Sequence, residues 1–80
     1  MEADEARRVF QVYYSDEDFR HRCRKRGFDN SGTDTIKEHE FRASLLRQKL
    51  PECKDDKEKR RLLEAANYFK SLYQKEFNNH

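Results

Sequence analysis

Apolar side chains recur along this chain every three or four residues, interrupted by short polar stretches, and that spacing predicts four α-helices. Over about residues 3–14, Ala6, Val9, Phe10, Tyr13 and Tyr14 stack on one helical face. Glu2, Asp4 and Glu5 stand near its start, where the helix dipole favours acids. A second helix over about 16–26 is marked at both ends. Ser15 is a good N-cap and Asp18, three residues on, sits where a capping box places an acid. Asp16, Glu17 and Asp18 fill the first turn, Arg24, Lys25 and Arg26 fill the last, and Gly27 supplies the C-terminal cap. Its apolar stripe is only Phe19 and Cys23, with Phe28 just beyond, so this helix is expected to be barely buried.

The stretch Asp29 to Asp34 reads as a turn-forming loop. A third helix follows over about 36–50, with Thr35 and Glu38 in capping-box register and Phe41, Leu45, Leu46 and Leu50 facing inward. Pro51 closes it or opens the next element, because proline lacks the N–H that a continuing helix requires. The fourth and longest helix spans about 55–77. Leu62, Ala66, Phe69, Tyr73 and Phe77 make its stripe, widened by Leu63, Ala65 and Leu72, and it is expected to be the main wall of the core. No segment shows the two-residue alternation of a strand. The expected fold is all-α, a single helical domain over 1–80 built as a small bundle of about four helices.

Composition narrows the picture. In 80 residues, 34% are hydrophobic and 42% charged, so the core must be thin. A domain of this size buries only about 60% of the surface its unfolded chain exposes. Four tyrosines and six phenylalanines nevertheless set the chain apart from a disordered segment. Nothing approaches the ~20 apolar residues of a membrane span. The acidic Met1–Glu5 segment lacks the basic flank and apolar run of a signal peptide, so an intracellular location, cytoplasm or nucleus, is expected. Cys23 and Cys53 are accordingly expected as reduced thiols rather than a bridge.

Catalytic chemistry finds no footing. There is no glycine-rich phosphate loop, no His-Glu-x-x-His and no nucleophile elbow. His21, His39 and His80 are scattered, and His21-x-Cys23 lacks the paired, closely spaced thiols of a structural zinc site. A non-enzymatic domain without a cofactor is the expectation.

The most specific local pattern is Phe28-Asp29-Asn30-Ser31-Gly32-Thr33-Asp34-Thr35-Ile36-Lys37-Glu38-His39-Glu40-Phe41, which resembles the calcium loop of an EF-hand between its two helices. The resemblance covers about residues 16–50 when the helices are included. It implies Asp29, Ser31 and Thr33 at the first, third and fifth loop positions, the Thr35 carbonyl at the seventh, Ile36 at the apolar eighth and Glu40 as the closing carboxylate at the twelfth. The chain departs from the family where Asp34 replaces the glycine of the sharp turn and where Lys37 brings a cation to the ninth position. Ser31 and Thr33 are weak neutral ligands, and calcium affinity rises with ligand charge. A degenerate, calcium-insensitive hand kept for contact with a protein is what the resemblance implies; its alternative is a plain polar turn between two capped helices.

Charge supplies the second signal. Residues 20–26 read Arg-His-Arg-Cys-Arg-Lys-Arg, so Arg20, Arg22, Arg24, Lys25 and Arg26 wrap most of the helix surface. Arg7, Arg8, Arg42, Arg47, Lys49, Lys59, Arg60 and Arg61 could extend the patch. Three readings stay open: docking on an acidic protein partner, gripping phosphates of a nucleic acid, or a solvated face answered by neighbouring acids. A net charge of only +2 is far from the strongly basic balance of typical nucleic-acid modules, which favours the protein partner. Tyr13 and Tyr14, directly before the basic helix, join it as candidate partner-binding residues, and Tyr68 and Phe77 are further aromatics expected near the surface. The oligomeric state is not written in the pattern.

Overall fold

In the computed structural model, α-helices start or stop at several places where a local side chain satisfies or removes a terminal hydrogen bond. The structure describes residues 1–27 and 35–78. Its elements are α1 (Ala3–Tyr13), α2 (Asp16–Lys25), α3 (Thr35–Lys49), a 3₁₀ turn (Leu50–Glu52) and α4 (Asp56–Asn78). There is no strand among the described residues, and no helix there is long and apolar enough to cross a membrane. Among the described residues the protein is an all-α bundle of four α-helices.

The joints follow from the residues at them. Tyr14 and Ser15 are extended, and the Ser15 hydroxyl accepts a hydrogen bond from the Asp18 N–H at 3.1 Å, which starts α2. The Asp18 carboxylate pairs with Arg22 at 3.1 Å one turn along the helix. At the other end Gly27 takes φ +86°, a left-handed conformation that glycine reaches without a Cβ clash, and ends the helix as a C-terminal cap. Pro51 sits in the 3₁₀ turn that follows α3, and the Cys53 thiol donates to the Lys49 carbonyl at 3.5 Å. Asp55 then caps α4, its carboxylate accepting from the Lys57 N–H at 3.1 Å.

α4 packs against both α3 and α1, while α2 lies outside and lends the core only Phe19 and Cys23. Ala6, Val9 and Phe10 come from α1, with Tyr14 just past its end. Phe41, Ala43, Leu45 and Leu46 come from α3, and Leu62, Ala65, Ala66 and Phe69 from α4. The core wall is thus shared between α3 and α4 rather than built chiefly by α4. Leu63 departs from expectation: it is 44% exposed, because the neighbouring stripe through Leu62, Ala66 and Phe69 already fills the interface. Both cysteines are buried free thiols.

Arg42 is the unexpected member of the interior. Expected as part of a surface patch, it lies half-buried with its guanidinium 4.5 Å from the Phe19 ring centre and 5.8 Å from those of Phe10 and Phe69. Those three rings belong to α2, α1 and α4, so one α3 side chain touches all the other helices. The rings also meet each other edge-on, Phe10 with Phe19 at 5.3 Å and Phe10 with Phe69 at 6.2 Å. Burial pulls the Arg42 guanidinium below its ordinary pKa, and the nearby Glu38 carboxylate works against that shift.

Arg42→Ala is expected to cost about 2 kcal/mol, combining lost cation–ring attraction with lost packing of the aliphatic stem. Urea unfolding checks this, with Arg42→Lys falling between. An Arg42→Met variant as stable as the parent would show that the charge contributes nothing over the rings.

Candidate functional site

The basic helix divides its cations by position. Phe19 and Cys23, four residues apart, point into the core, so residues three further on flank that buried stripe. Arg22 accordingly lies 5.0 Å over the Tyr14 ring and pairs with Asp18, while Arg26 lies 4.8 Å over the Phe41 ring. Arg20, Arg24 and Lys25 fall on the other side. They are exposed, and among the described residues their side chains have no ion pair, hydrogen bond or ring contact. His21 is exposed on the same side, one turn before Arg24 and Lys25. Ser15, Glu17, Asp18, Arg20, His21 and Arg24 together line a shallow depression on the outer face of α2.

Of the two tyrosines expected at this surface, Tyr14 is a correction. It is 4% exposed, stacked on Phe10 at 5.2 Å, and its hydroxyl donates to the Leu45 carbonyl at 3.2 Å. The extended backbone at Tyr14 turns its ring inward beneath Arg22 and Lys49, whose charged ends lie 5.0 and 5.5 Å from the ring centre. Tyr13 is half-buried, and its hydroxyl donates to Glu58 Oε1 at 3.0 Å, tying the end of α1 to the first turns of α4. Tyr68 packs partly buried against the core beside Phe69, and the Phe77 side chain lies outside what the structure describes. Cys23 is enclosed, and burial pushes its thiol pKa upward, away from the thiolate that reactive cysteines need.

The loop with the EF-hand pattern lies between α2 and α3. Asp29, Ser31 and Thr33 are outside the described residues. Thr35 is the first residue of α3, and Glu40 is exposed on that helix. Glu40 borders a depression together with Arg26, Gly27 and Lys37, so two cations share its surroundings. No group of three or more His, Cys, Asp or Glu side chains is placed to hold a metal among the described residues.

Two features are hard to read from the sequence. His21 stands apart from the other histidines, yet its place one turn before Arg24 aligns it with the free cations. Arg42 carries a residue type usually found at the surface. Its spacing from Leu45 and Leu46 marks it as an inward position. No protein-family model matches this chain, and neither a curated protein nor a solved structure matches it.

The Tyr13 contact makes stability depend on alkaline pH. Burial, then the hydrogen bond to Glu58, raises the phenol pKa well above its ordinary value of 10.0. The folded state therefore favours the neutral phenol, and its contribution is complete below about pH 10 and lost as the pH climbs through and beyond that value. At neutral pH, Tyr13→Phe should cost about 1 kcal/mol, the worth of one hydrogen bond. In chemical denaturation, the gap between parent and Tyr13→Phe should shrink above about pH 10; a gap independent of pH would contradict the role given to the phenol.

Proposed function

We propose that this chain is a non-enzymatic, regulatory protein-interaction module that docks on an acidic partner through the outer face of α2. The helix–loop–helix at its centre resembles a calcium-insensitive EF-hand, and in this reading it serves as scaffold for that face. One observation carries the proposal: Arg20, Arg24 and Lys25, with His21 beside them, are exposed cations that the molecule itself leaves unanswered. Cations left without an ion pair on one helical face, in excess over the Glu17 and Asp18 carboxylates near its start, speed encounter with an acidic partner and orient it. Arg22 and Arg26, by contrast, already lean on aromatic rings of the core.

Nucleic-acid binding is the second reading, and the tyrosines weigh against it. Stacking on bases needs an open ring beside the cations. Tyr14 is buried and the Tyr13 hydroxyl is held by Glu58. The enclosed Cys23, whose thiol pKa burial raises, lends no support to thiol chemistry on this face.

The test compares two labelled probes, a polyglutamate peptide and a mixed-sequence DNA duplex, at low and moderate salt. Polyglutamate is expected to bind. Arg20→Glu/Arg24→Glu/Lys25→Glu should weaken it at least tenfold, as expected when rim charges are reversed, while circular dichroism shows the helices retained. Arg22→Ala/Arg26→Ala should chiefly lower stability, by about 1 kcal/mol for two partly exposed ring contacts. Tighter binding of the duplex, collapsing with salt and lost in the triple variant, would replace the protein partner by nucleic acid. Binding of neither probe would end the proposal.

A further inference from the structure

α2 offers a partner charge but no apolar anchor, and stable interfaces concentrate their energy in a desolvated apolar centre. The surface that could supply one lies between α3 and α4. There an open groove of about 440 Å³ has Ala43, Ser44 and Tyr73 along its floor and Glu40, Arg47 and Lys70 around its rim. Its origin is plain in the sequence. Positions 40 and 44, and 43 and 47, are one helical turn apart, so they form one face of α3 beside α4. Ala43 and Ser44 are the small side chains of this lining, and Ala43 also belongs to the buried core beneath it. The volume falls within the roughly 300–1,000 Å³ range of clefts that take up small ligands.

The rim decides what fits. Arg47 and Lys70 are exposed and, among the described residues, have no ion pair, hydrogen bond or ring contact. Against these two cations stands one acid, Glu40. That same Glu40 also borders the depression containing Arg26, Gly27 and Lys37, so the groove runs on toward the C-terminal end of the basic helix. An occupant must therefore be apolar toward the floor and acidic toward the rim.

We infer that the α3–α4 groove is a second docking site, which takes an amphipathic helix of a partner protein with apolar side chains over Ala43 and Tyr73 and carboxylates on Arg47 and Lys70. This is the helix-in-groove mode of recognition, read by apolar anchors one turn apart. The inference uses none of the α2 residues and stands or falls apart from them.

The experiment titrates the isotope-labelled full chain with a synthetic amphipathic helix carrying leucines four apart on one face and glutamates on both flanks. Saturable chemical-shift changes are expected at residues 40–48 and 70–73. Ser44→Leu, which fills the open floor, and Arg47→Glu/Lys70→Glu, which reverses the rim, should each weaken binding at least tenfold while circular dichroism shows the helices retained. Replacing the peptide leucines by serine should abolish the shifts, and replacing its glutamates by lysine should weaken binding at least tenfold. Absence of saturable shifts overturns the inference, as does equal binding of the serine-substituted peptide, which would reduce the effect to charge attraction. Loss of the peptide in Arg20→Glu/Arg24→Glu/Lys25→Glu with retention in Ser44→Leu would place it on α2 and also overturn the groove, whereas the reverse pattern supports it.

Discussion

The bundle depends on a cation held among aromatic rings. A chain with this few apolar residues cannot join four helices by aliphatic packing alone, and Phe10, Phe19 and Phe69 meet instead around the Arg42 guanidinium. Arginine suits that place for two reasons. Its planar, weakly hydrated head loses less on partial burial than an ammonium would, and its long stem covers apolar surface on the way. Glu38 lies close enough to offset part of the burial cost, so the arrangement is a charge half-removed from water and answered by both rings and a carboxylate.

The same device recurs at the edges. Arg22 and Lys49 lie over Tyr14, and Arg26 lies over Phe41. Cations here cover the flanks of a narrow core where other domains would place leucine or isoleucine. This explains how α2 is retained with only Phe19 and Cys23 buried, and it divides the basic run in two. Arg22 and Arg26, which reach core rings, are spent on the fold, while Arg20, Arg24 and Lys25 remain open. A run that looks uniform in sequence is therefore two different sets of residues in space.

Helix positions, caps and most inward residues were legible in the sequence because they rest on local rules. Ser15, Gly27 and Pro51 act within one turn of themselves, and the stripe Leu62, Ala66, Phe69 follows from helical periodicity alone. What was not legible depends on which helix faces which. Tyr14 looked like an edge residue, yet the extended joint after α1 swings it onto Leu45, thirty-one positions away. Arg42 carried an inward register but an outward residue type, and only the convergence of rings from three helices settles that conflict. The free face of α2 was half legible: its charge was evident, its division was not.

A thin core with charged flanks also bears on how such a domain could hold a partner. Exposed cations on α2 raise the encounter rate, but charge pairs at a wet rim add little to residence time, because water and salt compete for them. Lasting association requires apolar surface, which this chain can scarcely spare from its own folding. Ala43 and Ser44 show one resolution. The groove lined by Ala43, Ser44 and Tyr73 leaves some surface of the α3–α4 seam open, and an incoming apolar side chain would cover it. Steering on one surface and anchoring on another would then be separate properties of two faces, and binding at either would stabilise the folded chain.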